Sequence, residues 1–179
     1  YVVPPGFIRD RDRTSQAVMQ FNEQSLSLSV ENLKGGQSRA VFKNTKLDLN
    51  MYKRLKMFIH AQNKFNEDKV ASVFLRIGTD LKNNYYEIEI PNLKTTTNGS
   101  SDPFTVWPKE NELDIPFEVL RNVKLERNRT SFPLTQKYGG DKLIDVIGTA
   151  SGTGTTSIND EEVITRQYKI SVIGNPDLS

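Results

Sequence analysis

Three segments within residues 47–120 alternate apolar and polar side chains with the period of a β-strand. They cover residues 52–61, 71–77 and 85–90. Because successive strand residues point to opposite faces, this pattern predicts sheets with one buried and one solvated face. The predicted buried positions are Leu55, Met57, Ile59, Ala61, Val73, Leu75, Ile77, Tyr86, Ile88 and Ile90. A polar turn separates the last two segments, which predicts an antiparallel hairpin.

Shorter stretches with the same alternation predict further strands at residues 25–30, 39–43, 143–147 and 168–172. One helix is predicted from Pro116, because proline is well tolerated in the first turn of a helix. Its expected apolar stripe consists of Phe117, Leu120, Val123 and Leu125.

Many short strands and one helix predict an all-β fold, an antiparallel β-sandwich with jelly-roll or galactose-binding-like connections and one short helix. A hydrophobic content of 36% fits such two-faced sheets, in which every second strand residue meets water. The 179 residues suffice for one domain. We expect an N-terminal arm or linker over residues 1–15 and a single sandwich domain over residues 16–176.

The charge balance gives no reason to expect nucleic acid as a partner, since 24 basic and 22 acidic residues are mixed along the chain. The chain lacks cysteine, which excludes disulfides and thiolate chemistry. No apolar stretch is long enough to predict a membrane-spanning helix. Because the sequence opens without methionine or a signal-like segment, we expect an internal, soluble part of a longer protein.

Candidate catalytic groups are sparse, so we predict that the chain is not an enzyme and has no cofactor. His60 is the only histidine and has no nucleophile motif to serve. Glu87 and Glu89 share one strand face, roughly 7 Å apart, yet alternating glutamates are ordinary on a solvated face. The acidic run at residues 160–162 is expected to be a solvated loop end. A calcium site at Asp80, Asn83 and Asn84 is left open, because these are also common turn residues.

Two groups of side chains are predicted contact sites. Tyr85, Tyr86 and Trp107 are candidates for contact with a ligand or partner. If their rings are exposed, they could bind a sugar ring. The alternative for these rings is packing in the core. Arg9, Arg11 and Arg13 alternate with aspartates, which indicates a solvated linker or a junction with the rest of a parent protein.

Several segments resemble the SprA/Sov family. The resemblance is densest in residues 1–6, 21–26, 52–61, 83–91 and 107–116, where the last segment reads WPKENELDIP. Members of that family are very large outer-membrane proteins of Bacteroidota that form the translocon of the type IX secretion system and serve gliding motility. The resemblance implies a β-rich domain of the cell envelope and brings no catalytic residues.

From the resemblance we expect a non-catalytic insert domain that shapes or caps the translocon. Its partners would be other domains of the parent protein, secretion-system subunits or cargo. The alternative is a carbohydrate-binding module of a Bacteroidota cell-surface protein, since jelly-roll sandwiches also serve that function. An exposed aromatic platform would favour glycan binding, whereas burial of the three rings would favour a scaffold.

Overall fold

The structure is a computed structural model that describes residues 2–6, 11–12, 19–20, 25–62, 71–96, 99–149 and 163–178. The chain divides into two compact units. One unit contains residues 1–6 and 48–179, and the other contains residues 7–47. The predicted division into an arm over residues 1–15 and a domain over residues 16–176 has other bounds and stays a prediction.

In the unit of residues 7–47, two short strands pair antiparallel, β1 (Arg11–Asp12) with β2 (Met19–Gln20). Residues 25–47 contain no helix or strand. The strands predicted at residues 25–30 and 39–43 are therefore wrong for this structure. Alternation predicts a strand only if a partner strand is present, and these residues have no ladder partner among the described residues.

The larger unit holds the remaining helices and strands in chain order. They are β3 (Arg54–Met57), β4 (Ala61–Gln62), β5 (Val73–Asp80), β6 (Asn84–Ile90), β7 (Thr95–Thr96), α1 (Pro103–Val106), β8 (Leu113–Pro116), α2 (Phe117–Arg129), β9 (Tyr138–Thr149) and β10 (Val163–Ile173). Two short 3-10 helices cover Leu49–Met51 and Lys109–Asn111. Pro116 caps the start of α2, as its fixed backbone angle predicts.

Four of these strands form one antiparallel sheet in the order β5-β6-β10-β9. The predicted hairpin is confirmed as β5 and β6, with Leu75 opposite Ile88. The last strand in the sequence, β10, lies inside the sheet between β6 and β9. Two further pairs are antiparallel β3-β8 and parallel β4-β7.

Helix α2 packs on one face of this sheet, and the core lies between them. Every second residue of β6 and β10 belongs to it: Tyr86, Ile88, Ile90, Tyr168, Ile170 and Val172. From α2, Phe117, Leu120 and Val123 are buried as predicted, whereas Leu125 is exposed because it faces away from the sheet. Burial of these apolar side chains is the main driving force for folding.

The C-terminal tail is fastened to α2 by polar contacts. The fully buried Arg127 donates to the Gly174 carbonyl, and the Lys124 ammonium donates to the Pro176 carbonyl at 2.7 Å. The Leu49 N–H donates to the Leu178 carbonyl at 2.6 Å. Pairing a buried guanidinium with carbonyl groups offsets the cost of removing it from water.

The structure confirms the β-rich class with mainly antiparallel pairing and few helices. Helix α2 has 13 residues, which makes it longer than the short helix we expected. The sandwich layering and the jelly-roll connections stay a prediction.

Candidate functional site

Tyr85 and Tyr86 point to opposite faces of the sheet and are both buried. Tyr86 is 2% exposed and belongs to the core. Tyr85 is 6% exposed on the other face, where the Arg76 guanidinium lies 4.3 Å from its ring centroid. Adjacent strand residues cannot form one aromatic platform, because their side chains diverge. Their role in contact with a ligand stays a prediction.

Trp107 is half-buried and holds the N-terminal segment of its unit. Its indole N–H donates to the Val2 carbonyl at 2.9 Å. The ring meets Phe58 and His60 edge-on, at centroid distances of 6.2 and 5.6 Å. Edge-to-face pairs of this kind contribute about 0.5–1.5 kcal/mol beyond their burial. Contact of Trp107 with a ligand or partner stays a prediction.

Of the three arginines predicted at the junction, only the backbone of Arg11 falls within the described residues. Arg11 lies in β1 opposite Gln20. Arg9 and Arg13 lie outside the described residues, as does the acidic run at residues 160–162. The junction stays a prediction.

The most unusual feature of the larger unit is a buried charge cluster of Arg54, Glu112, Asp114 and Arg166. Asp114 is fully buried, and its carboxylate accepts from Arg54 Nε at 2.7 Å. The Arg166 guanidinium donates to Glu112, and its Nη1 lies 3.7 Å from Asp114 Oδ2. Arg54 also donates to the Ile147 carbonyl at 2.8 Å. The cluster therefore ties β3, β8, β9 and β10 together.

Tyr168 completes this cluster from the centre of the sheet. Its hydroxyl accepts from the Asp114 backbone N–H at 2.9 Å and donates to the Glu112 carbonyl at 3.0 Å. Burial raises the pKa of Tyr168 to about 12, so the hydroxyl stays protonated at neutral pH. The hydroxyl thus takes the place of a strand partner for the β8 backbone.

Sequence analysis missed the charge cluster, because alternation in residues 112–115 predicts one face in water. In the structure Leu113 and Ile115 face the core, and Glu112 and Asp114 face the buried arginine instead of solvent. Acidic residues on alternate positions give no signal that distinguishes water from a buried cation. The position of Arg166 in phase with the core residues Tyr168 and Ile170 was the one available hint.

A second buried carboxylate lies on the opposite face of the sheet. Glu87 accepts from Arg76 Nε at 2.7 Å and also from the Lys137 ammonium. Burial raises the pKa of Glu87, but the hydrogen bonds from Lys137 and Arg76 outweigh it and hold the pKa below its ordinary value. Glu87 and Glu89 therefore do not act as a pair of carboxylates, because Glu87 forms ion pairs with Arg76 and Lys137.

The part of the β9-β10 hairpin near its connecting loop, residues 143–148 and 166–167, exposes both apolar and polar side chains on its outer face. Leu143 and Ile147 are exposed there, with Asp145 between them. The Gln167 amide donates to the Asp145 carboxylate at 2.9 Å across the two strands. The inner face of the same stretch is buried through Val146, Gly148 and Arg166. This stretch of the hairpin, here called the arm, therefore has one buried face and one accessible face that carries apolar side chains.

The remaining polar candidates are engaged in local structure. The His60 ring is hydrogen-bonded to the Thr96 hydroxyl. In the turn where a calcium site was left open, the Asp80 carboxylate accepts from the Lys82 N–H at 2.9 Å, and the Asn84 side-chain oxygen accepts from the Asn175 N–H at 2.9 Å. Over the described ranges, no three metal-ligating side chains come together.

None of the helices among the described residues has both the length and the apolar character needed to cross a membrane.

Comparison with known protein families shows which family the chain belongs to. The family described as motility related/secretion protein, SprA_N, matches residues 1–179, which is the whole sequence. The chain belongs to the SprA_N family. This confirms the resemblance to the SprA/Sov family. None of the curated proteins matches the chain.

Membership of the SprA_N family makes this a motility- or secretion-related protein and associates it with the cell envelope. Such a role also implies contact with other components of the machinery.

Proposed function

We propose that this chain is a non-catalytic insert domain of a large outer-membrane protein of the type IX secretion and gliding motility machinery in Bacteroidota, where it shapes or caps the translocon. The observation that carries the proposal is the match of the SprA_N family to the full 179 residues. Its partners would be other domains of the parent protein, secretion-system subunits or cargo.

The ion pairs formed by the buried acidic side chains support a scaffold role. Glu87, Glu112 and Asp114 are each paired with arginine or lysine. The pairs of Asp114 with Arg54 and of Glu112 with Arg166 join residues that are 60 and 54 positions apart in the chain. Buried ion pairs of this kind fix geometry more than they add stability. A wall or lid needs such fixed geometry. We also propose that β3-β8 forms a second layer over the four-stranded sheet, as in a sandwich.

The β9-β10 arm supplies the contact surface in this proposal. Its exposed Leu143 and Ile147 lie on a two-stranded element whose other face is held by the charge cluster. Exposed apolar side chains on a rigid element are favoured positions for contact with a partner.

The test is made in the full-length parent protein, and outer-membrane insertion and cargo export are scored separately. One variant lacks residues 1–179, and a second carries L143E and I147E on the outer face of the arm. We expect normal insertion with export reduced at least several-fold in both variants. The matched control, L125E with L134E, places the same charges at exposed leucines elsewhere in the unit and should export normally.

Export at the normal level in the deletion would contradict the proposal and leave the carbohydrate-binding alternative to be tested. Loss of insertion in the deletion would reduce the domain to a folding element of its parent. Equal loss of export in L143E/I147E and in the control would remove the arm as the contact surface.

A further inference from the structure

Residues 25–47, here called the extended segment, form neither helix nor strand and contain one turn. The Gln37 N–H donates to the Lys34 carbonyl at 3.0 Å, and Gly36 has the positive φ of +78° that the turn requires. It is the only backbone–backbone hydrogen bond that the structure shows between described residues of this segment. The Lys34 N–H also donates to the Gln37 side chain, and the Ser38 carbonyl accepts from the Arg39 side chain. No ladder joins the rest of the segment's backbone to other described residues, so those groups can pair with a sheet partner.

The side chains of the extended segment follow a strand pattern without the burial that a strand normally has. Leu26, Leu28 and Val30 alternate with serines, and all three are at least half exposed. The exposed large apolar residues of the segment are Leu26, Leu28, Val30, Leu33, Val41, Phe42 and Leu47. A backbone without a ladder partner, combined with exposed apolar side chains at alternate positions, is what a strand presents before it joins a sheet.

Charge indicates which kind of partner this strand suits. The extended segment carries four basic residues, Lys34, Arg39, Lys43 and Lys46, and one acidic residue, Glu31, so its net charge is 4 − 1 = +3. Two copies of the segment would therefore repel each other. A sheet edge flanked by aspartate or glutamate would attract it, because complementary potentials favour association.

We infer that the extended segment is a docking strand that adds to an exposed β-sheet edge of a partner polypeptide with acidic flanking side chains. Main-chain hydrogen bonds would supply affinity, alternate apolar side chains would enter the partner's apolar face, and the basic residues would set register and orientation. The inference concerns strand addition only and does not rest on the role proposed at the translocon.

The test compares amide hydrogen exchange in the 179-residue chain alone with exchange in the native complex, isolated from envelope membranes through a tag on the natural protein. We expect residues 26–33 and 39–43 to exchange at nearly unprotected rates in the chain alone. In the complex, their exchange should slow by about 100-fold or more, as ladder hydrogen bonds require. Fast exchange in the complex would overturn the inference.

Charge variants test the chemistry of the partner. K34E/R39E/K43E should lose at least about 10-fold of the protection, which corresponds to about 1.4 kcal/mol. K82E/K109E/K142E changes the same total charge at exposed lysines of the other unit and should keep the protection. Equal loss of protection in both variants would overturn the inference, because the loss would then depend on the net charge of the chain and not on the basic residues of the segment.

Zero-length carbodiimide cross-linking identifies the occupant, since it joins only amines and carboxylates in contact. Cross-links from Lys34, Lys43 or Lys46 to carboxylates beside a strand of the partner support the inference. Protection that rises with the concentration of the chain alone would assign the segment to a second copy. Protection supplied by anionic lipid vesicles alone would assign it to a membrane. Either outcome would overturn strand addition to an acidic edge.

Discussion

At Glu87, burial and ion pairing have opposite effects on the pKa of the carboxylate. Its side chain is 7% exposed, yet Lys137 and Arg76 together hold its pKa below the ordinary value of 4.5. A carboxylate whose pKa is lower in the folded than in the unfolded state stabilises the fold above the unfolded pKa. That contribution is lost as the pH falls from about 4.5 through the lower pKa of the folded state.

We therefore expect E87Q to lower the free energy of unfolding at pH 7 by about 1–3 kcal/mol, because two cations lose their carboxylate partner. The difference from the unaltered chain should narrow as the pH falls below about 4.5 and Glu87 takes up its proton. Urea unfolding at a series of pH values measures both effects. E126Q, at an exposed position of α2, should change stability by less than about 0.5 kcal/mol. A constant difference down to the lowest pH would contradict this account.

At the scale of elements, the β9-β10 hairpin depends on a glycine where it crosses the charge cluster. A Cβ added to Gly148 would lie 2.8 Å from Asp114 Oδ2 and would overlap the Arg166 guanidinium. Both neighbours are buried and ion-paired, so neither yields easily. The absence of a side chain is therefore what allows the hairpin to lie against β8.

We expect G148A to destabilise the larger unit by about 1–3 kcal/mol, the usual cost of overpacking a buried site. Denaturant unfolding followed by circular dichroism measures the change. Gly35 is a matched control, because an added Cβ there meets no atom within 4 Å. A stability loss in G35A equal to that in G148A would show that steric overlap at the cluster is not the cause.

Strand prediction succeeded where the alternating residues have a partner strand among the described residues. Residues 85–90 and 25–30 show the same alternation, yet the first is β6 and the second is exposed and unpaired. The difference lies in the partner, since β6 meets β5 across a three-residue turn. Strand β9 was predicted too short, because Gly139 and Gly140 interrupt the apolar pattern at its start.

The candidate site was far less predictable than the strands. Burial of Tyr85 follows from stacking with Arg76, a contact between residues on two strands that no local pattern encodes. The pairing of Asp114 with Arg54 joins positions 60 residues apart in the chain. Contacts of this range are set by the fold as a whole, so single residues carry no signal of them.

At the scale of the whole molecule, the sheet is completed by its last strand. Lys169 of β10 pairs with Glu89 of β6 on one side and with Leu143 of β9 on the other. Tyr168, Ile170 and Val172 of the same strand lie in the core. Removal of β10 would therefore leave β6 and β9 without a common neighbour.

We expect a chain ending at residue 162 to show no cooperative unfolding transition, because two of the three strand pairings in the four-stranded sheet are lost with β10. A synthetic peptide of residues 163–179, added in trans, should restore the transition. A peptide of the same composition in scrambled order should not restore it. Circular dichroism with thermal unfolding measures all three cases. A cooperative transition in the truncated chain alone would contradict a central role for β10.

The late position of this central strand also bears on how the protein is made. The ribosome makes β6 about 80 residues before the strand that must lie beside it, so the sheet cannot close until β10 has been made. During that interval the nascent chain has no finished core and keeps an open strand edge. A polypeptide in that state is suited to passage through a narrow pore, and this unit becomes compact only when β10 is available to pair.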